Sequence, residues 1–421
     1  MARDNSALIV GIDIGSTSVR TVIAQQAIGE EQPRVIGVGV TPSFGIRRGV
    51  ITDVTDVTKA IVTSIEGAER MAGVQVRSAV LNIGGCDIGF QSSKGVIAIG
   101  RADGEVAEDD INRVIAESQI ISLPMNREIV HVIAKKYRLD DQDNIKDPLG
   151  MKGVRLEVDA LVIESASSHI KNISKCAYQA NIEIDDLVLE PLASAKSVLN
   201  KKQKELGVVL VNIGGGTTSL AVFEEGDLVH TAIIPIGAGH ITNDIAIGLR
   251  TSIDVAEKIK LEYGSATSQD ISKKEGIDLS QIDSSEEGVV SRHHVAEIIE
   301  ARFEEIFSLV QKELKLIGRA GLLPAGVVLV GGGSKMTNAT DLAKEVLGLP
   351  AQLGFPLGLG GILDKVDDPA FATVVGLMLW TEQQNVATKD GFMSSRAAGM
   401  LAKGTGESVE KVKGWLKKFL P

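Results

Sequence analysis

LVNIGGGTTSLAVF, residues 210–223, runs as an apolar strand, breaks into three glycines and two threonines, and resumes as a second strand. A hairpin of this kind carries a phosphate-sized hollow at its tip. Gly214, Gly215 and Gly216 take positive φ without steric cost and let successive N–H groups approach an anion, and Thr217 and Thr218 add hydroxyl donors. Taken alone, the stretch is equally an ordinary hairpin with a glycine-rich turn. Two further stretches shift that balance. Residues 8–24, LIVGIDIGSTSVRTVIA, repeat the device with an acid, Asp13, ahead of Gly15, Ser16 and Thr17. Residues 327–336, VVLVGGGSKM, form a third strand that ends in Gly331, Gly332 and Gly333, followed by Ser334, Lys335 and a helical pattern.

Two phosphate hairpins in two halves of a chain, with a strand and GGG near the end, resemble the ATPase signature shared by actin, sugar kinases and heat-shock chaperones. The resemblance implies a two-lobed α/β fold with a nucleotide between the lobes. It places Asp13 on magnesium through the ion's waters, in keeping with a cation that retains most of its hydration shell and takes one or two carboxylates plus phosphate. It stacks the adenine on the turn at residues 331–335. Arg20, on the returning strand, is either a phosphate ligand or a solvated strand charge. The superfamily usually carries Asp where this chain has Asn212, and often Asp where it has Ser219. An amide at 212 still hydrogen-bonds a hydrated metal but supplies no negative charge, so ATP binding with slow or undetectable hydrolysis is expected.

Length and composition agree with two lobes, since 421 residues exceed what one core usually supports. The balance of 44% hydrophobic and 24% charged residues is that of an ordinary globular protein. A net charge of -11 argues against nucleic acid as a partner, because no basic surplus is available to neutralise phosphates. Cys86 and Cys176 lack metal-ligand spacing, so unpaired thiols in a reducing compartment are expected. The opening MARDNSALIV reads as a lead into the first strand rather than a signal peptide. No apolar run approaches the roughly 20 residues that span a bilayer.

Residues 84–163 differ in character from the rest and read as a small unit of strands and one helix inserted in the first lobe. HVIAKKYRLDDQDNIKDPLGMKGVRLEVD, residues 131–159, together with GVVLVGGGSKM and DPAFATVVGLML near residue 370, closely resembles the bacterial cell-division FtsA family. The resemblance covers nearly the whole chain. It implies an actin-like protein that binds ATP and Mg2+, polymerises on the cytoplasmic face of the cell membrane at the division site, holds the tail of FtsZ, and helps recruit later division proteins through the inserted unit. The expected division is 1–83 with 164–205 as the first lobe core, 84–163 as the insert, 206–243 with 318–384 as the second lobe core, and 244–317 as a second small subdomain. A linker at 385–406 and a terminal segment at 407–421 follow.

Individual residues carry further expectations. Glu190, before Pro191, resembles an acid that orients the attacking water in the filament protein MreB, and could equally cap a helix. Glu257 and Lys260 share a helix face. In the family such a pair touches the ribose and adenine ends of ATP; an intrahelical salt bridge is the other reading. Arg302 matches a family arginine in the region that binds FtsZ. In SVEKVKGWLKKFLP, Val409, Val412, Trp415, Leu416, Phe419 and Leu420 fall on one helical stripe, with Lys417 and Lys418 on the opposite side. Residues 403–421 hold five Lys against two Glu, so this end suits an anionic membrane surface. Two rival readings of the same fold are a small-molecule kinase, for which no general base can be assigned, and a pilus-assembly adaptor like PilM, which needs no amphipathic tail.

Overall fold

The computed structural model describes residues 7–26, 32–284 and 286–380. In the first lobe, β1 (Ala7–Ile14) and β2 (Ser18–Gln26) form the first hairpin, and β3 (Arg34–Pro42) extends it. A short ribbon follows, β4 (Ile46–Arg47) and β5 (Val50–Ile51), then α1 (Val54–Ala72) and β6 (Ser78–Ile83). Helix α1 begins where Asp53 accepts hydrogen bonds from the N–H groups of Thr55 at 2.8 Å and Asp56 at 3.0 Å, and stops at Gly73, whose φ of 70° suits glycine at a helix end. Its apolar stripe, Val57, Ile61, Ile65 and Ala68, lies on β3. Glycines on that strand permit the approach: a Cβ at Gly39 would sit 1.8 Å from the Ser64 carbonyl oxygen.

The insert consists of β7 (Ile88–Ala98), α2 (Glu108–Ser118), β8 (Arg127–Leu139), β9 (Gln142–Ile145) and β10 (Arg155–Ala166), paired in the order β7-β10-β8-β9. Val106, Val114, Tyr137, Leu139, Leu156 and Val158 form its own core. The chain then returns through α3 (Ser167–Gln179) and β11 (Glu183–Leu189), which runs parallel to β6, and continues into α4 (Glu190–Val198) and α5 (Lys201–Leu206).

The second lobe repeats the plan. β12 (Val208–Ile213) and β13 (Thr218–Glu224) form the second hairpin, followed by β14 (Asp227–Ile234), α6 (Ala238–Leu249) and α7 (Ile253–Tyr263). The short strands β15 (Gly276–Asp278) and β16 (Val289–Ser291) lead into α8 (Arg292–Leu316). β17 (Val327–Val330), α9 (Ala339–Leu347) and β18 (Ala351–Leu353) complete a sheet of order β14-β13-β12-β17-β18. Helix α8 sends Phe303 and Phe307, both fully buried, into the core beneath this sheet. Burying each such side chain contributes about 2–3 kcal/mol.

One boundary falls elsewhere than the sequence suggests. Residues 318–384 read as a continuous part of the second lobe, yet β19 (Gly360–Gly361) pairs with β3, giving a first sheet of order β11-β6-β1-β2-β3-β19. The helical residues 372–379 follow it, and Val374, Val375, Met378 and Leu379 pack with Ile9, Val22, Ala24 and Val35 of the first lobe. An apolar helix pattern shows that a helix is buried but not which sheet buries it. Among the described residues no helix is long and apolar enough to cross a membrane. The expected linker at 385–406 and amphipathic segment at 407–421 lie outside the described residues.

Candidate nucleotide-binding cleft

The two hairpins face each other. In the first, Gly15 N–H donates to the Ser18 carbonyl at 3.2 Å; in the second, Gly214 N–H donates to the Thr217 carbonyl at 2.9 Å. A Cβ at Gly215 would lie 2.0 Å from Thr17 Oγ1, and one at Gly216 would lie 2.8 Å from Ser16 Oγ. Only glycine therefore lets the second loop close on the hydroxyls of the first. Gly214, Gly215 and Gly216 do not take positive φ, so close approach rather than backbone freedom is what requires glycine here. The loops flank a cleft of ≈ 770 Å³, lined also by the start of α6, by α7 and by the turn after β17. That volume suits a ligand of nucleotide size.

Asp13 lies at the base of the cleft. Asn82 Nδ2 donates to its Oδ1 at 2.9 Å, and Arg20 Nη1 stands 3.8 Å from its Oδ2. Burial pushes Asp13 up to about 6, with Arg20 opposing the rise. Arg20 is directly across the hairpin from Asp13 and its guanidinium lies 5.6 Å over the Phe371 ring. The arginine thus serves the acid and an aromatic face while still lining the cleft.

In the second hairpin, the cross-strand pair at the corresponding place is Asn212 and Ser219. Both reach Glu190, which starts α4 in the first lobe. Asn212 Nδ2 donates to Glu190 Oε1, and Ser219 Oγ lies 2.9 Å from each carboxyl oxygen. The same amide nitrogen lies 3.2 Å from Ser194 Oγ and 3.1 Å from Thr373 Oγ1. Burial, with the charge of Asp13 adding to it, pushes Glu190 up to about 8 against the hydrogen bonds from Ser219 and Asn212. At neutral pH this carboxyl is held largely as the neutral acid.

On the far side, Lys260 Nζ is 2.6 Å from Glu257 Oε2 and 2.8 Å from Thr242 Oγ1, and Thr242 Oγ1 donates to Glu257 Oε2 at 2.5 Å. The pair is an intrahelical ion pair, and both members line the cleft. In the third turn, Gly331 adopts φ 85°, and a Cβ there would meet Asn212 Oδ1 at 2.2 Å, whereas a Cβ at Gly332 would meet nothing. Gly333 packs tightly on Ile213, and Lys335 Nζ pairs with Asp368 Oδ2 at 2.5 Å at the cleft edge.

Two expected nucleotide-site residues are used differently, and Arg302, expected outside the cleft, has its own partners. Thr218 is fully buried and its hydroxyl donates to the Ile236 carbonyl at 2.8 Å, because strand alternation turns it away from the tip that Thr217 occupies. Ser334 is buried and donates to the Gly331 carbonyl at 2.7 Å, closing the turn from inside. Arg302 lies outside the cleft lining, its guanidinium forked on Asp244 at 2.7 and 2.9 Å and bonded also to Glu305. The sequence reading missed Asn82, Thr242, Ser194 and Thr373. A polar residue set between the apolar Leu81 and Ile83 near the end of SAVLNI was the signal for Asn82; the others carried none.

The donor set fits a hydrated divalent cation. Among the described residues no cluster of three or more His, Cys, Asp or Glu could cage a bare metal. Asp13 and Glu190 instead give two buried carboxyls whose ionisation burial opposes, and a nearby cation would offset that cost.

Paired lobes with facing glycine hairpins, a third glycine turn and an interlobe cleft define the actin-like ATPase fold. The structure of MreB5 of Spiroplasma citri bound to AMPPNP superposes with a TM-score of 0.54 at 14% identity, covering 91% of this chain and 98% of that one. The PilM-PilN type IV pilus biogenesis complex gives 0.65 at 14% identity, covering 88% and 98%. Within that fold the chain belongs to the FtsA family of cell-division proteins. The model for cell division protein FtsA matches residues 209–376, and the model for the SHS2 domain inserted in FtsA matches residues 85–164. Cell division protein FtsA of Pseudomonas aeruginosa is 39% identical, covering 97% of each chain. That of Bacillus subtilis is 37% identical over 89% of this chain and 83% of its own, and that of Escherichia coli 30% over 98% of each. Full-length identity at this level displaces both the kinase and the pilus-adaptor readings.

Proposed function

We propose that this protein binds ATP with Mg2+ between its lobes and acts as the actin-like membrane tether of the division machinery. The observation that carries the reading is the apposition of the two glycine hairpins over buried Asp13. Ser16, Thr17 and Gly215–Thr217 supply N–H and hydroxyl donors to the phosphates, Asp13 holds the waters of the cation, and Arg20 balances charge. Glu257 and Lys260, braced from behind by buried Thr242, take the nucleoside end, with Gly332 open toward the base. Magnesium, held through its waters by Asp13, would supply positive charge to offset that of the phosphates. Burial beside Asp13 keeps Glu190 largely protonated despite the hydrogen bonds from Asn212 and Ser219, and these two residues supply no carboxylate of their own to activate water, so slow hydrolysis is expected and ATP serves as a structural ligand.

The family gives the wider reading. Protomers assemble into protofilaments on the cytoplasmic membrane, the 244–317 subdomain with Arg302 receives the FtsZ tail, and the 84–163 insert receives later division proteins. The forked Arg302 pair supports a positioning part for that residue, since Asp244 and Glu305 already neutralise it. The segment at 407–421 anchors each protomer weakly through its apolar stripe and lysines, so stable attachment requires many copies.

The test is electron microscopy on an anionic lipid monolayer with ATP and Mg2+, alongside liposome sedimentation. Ordered arrays are expected, and Trp415→Glu or removal of 407–421 should abolish lipid-dependent pelleting. Dispersed monomers with ATP, or equal pelleting of all variants after subtraction of lipid-free controls, would overturn the reading.

A further inference from the structure

The β4–β5 ribbon is two residues long on each side, and its turn is Arg48 and Gly49, at φ 51° and 75°. Two central residues at positive φ make the hairpin turn that favours Asn, Asp or Gly, so an arginine at the first position runs against local preference. A bulky residue held left-handed points to a turn constrained by its surroundings. Those surroundings are both phosphate hairpins and the base of the insert. Gly49 N–H donates to Ser16 Oγ of the first hairpin at 3.3 Å. A Cβ on Gly216 of the second hairpin would lie 3.2 Å from Arg48 Cα. On the other side, Cys86 N–H donates to the Arg48 carbonyl at 3.2 Å, two residues before β7 begins. Gly49 and Gly85 meet backbone to backbone, a Cβ on Gly49 falling 2.5 Å from Gly85 Cα.

The insert has a second, independent hold on the other lobe. Lys135 Nζ of β8 donates to the Val229 carbonyl of β14 at 2.9 Å, and Lys146 Nζ donates to the Glu225 carbonyl in the turn before that strand. The inserted sheet is therefore gripped at its base by a turn that touches both phosphate loops, and along its face by the second lobe. Its three long strands, β7, β8 and β10, run 11 to 13 residues, about 40 Å at roughly 3.3 Å per residue, so a small rotation at the base becomes a displacement of several ångströms at the far end.

We propose that the Arg48–Gly49 turn is a mechanical coupler through which occupancy of the cleft sets the orientation of the inserted sheet. This rests on the nucleotide reading above. Closure of Ser16 and Gly216 on a triphosphate shifts the turn as a rigid piece. The shift passes through the Arg48–Cys86 hydrogen bond and the Gly49–Gly85 contact, with β14 as the opposing abutment. Partner binding on the insert is then biased by the nucleotide, and a bound partner biases nucleotide affinity equally.

Hydrogen exchange on the full-length protein, with and without AMPPNP and Mg2+, tests this. Binding slows exchange at residues 14–18 and 213–218, and the coupling slows residues 86–98 as well, by about tenfold. Cys86→Pro removes the donor to Arg48 without touching the cleft; it should keep nucleotide protection at the hairpins and lose it at 86–98, while Cys86→Ser, which retains the N–H, behaves as the parent chain. Protection at the hairpins without any change at 86–98 overturns the coupler alone, and so does a Cys86→Pro protein that retains both. Absence of protection at the hairpins overturns the nucleotide reading and the coupler with it. If Cys86→Pro fails to fold, the parent chain's own exchange pattern decides.

Discussion

The two hairpins have the same backbone plan and opposite electrostatics. Across the first, Asp13 faces Arg20; across the second, Asn212 faces Ser219. The first lobe carries a buried acid with a cation beside it, whereas the second presents an uncharged pair that donates hydrogen bonds to a carboxyl of the first lobe. A carboxylate in place of the Asn212 amide would be a third beside Asp13 and Glu190, and each would oppose the ionisation of the others. The difference teaches that the charge available to a hydrated metal lies on one lobe, and that the other lobe is a hydrogen-bonding latch for Glu190.

The largest effect is expected where the two hairpins touch. Gly215→Val would drive a side chain into Thr17 Oγ1, which already stands 2.0 Å from the Cβ position, so nucleotide binding should fall beyond detection. Gly332→Val should also block binding of a fluorescent ATP analogue, but with an unchanged melting temperature, since its Cβ meets no protein atom. Undiminished binding by both variants would show that these turns do not hold the ligand.

Removing the charge of the first hairpin comes next. Asp13→Asn should weaken binding in Mg2+ by roughly 100-fold, the loss of about 3 kcal/mol for interactions of a charged group, and leave affinity in EDTA little changed. Equal loss in both conditions would assign Asp13 to structure rather than to the cation.

Adding charge to the second hairpin should be milder and opposite in character. Asn212→Asp is expected to destabilise the nucleotide-free protein by about 2–3 kcal/mol at pH 8, through repulsion from Glu190 and loss of the amide donor, and to raise steady phosphate release with Mg2+. If release is already steady in the parent chain and this substitution leaves it unaltered, the latch does not limit hydrolysis.

Glu190 gives the smallest effect, and its sign is determined. Below about pH 4.5 the carboxyl is protonated whether the chain is folded or not, and it contributes no difference. Between there and about 8 the folded protein keeps a proton that the unfolded chain releases, so stability falls as pH rises, by up to about 1.4 kcal/mol per unit, and the decline levels off above about 8, where both states are ionised. Asp13, pushed only to about 6, has finished its own contribution by then. Denaturant midpoints of the nucleotide-free protein should therefore drop from pH 6 to pH 8 by an amount equivalent to about 2 kcal/mol, and Glu190→Gln should flatten that slope. An unaltered slope in the variant would locate the ionisation elsewhere.

Much of the cleft was legible in the chain because its signals are local. Glycine runs at strand ends, the small hydroxyls beside them and the acid before the first run occupy a few consecutive residues, and strand-turn-strand places them without help from the rest of the molecule. Glu257 and Lys260 were legible for the same reason, helical spacing alone putting them on one face. What tertiary structure decided depends on contacts far apart in sequence. Asn82 reaches Asp13 across 69 positions, Thr373 reaches Asn212 across 161, and β19 pairs with a strand near the other end of the chain, Gly360 opposite Arg34. Thr218 and Ser334 carry the right chemistry in the right motif, yet strand alternation and a tight turn bury their hydroxyls on the chain's own carbonyls. Composition and spacing specify which groups a segment can offer; which of them face a ligand is settled when the sheets pair and the lobes pack, because only then is each polar group either satisfied inside or left to the cleft.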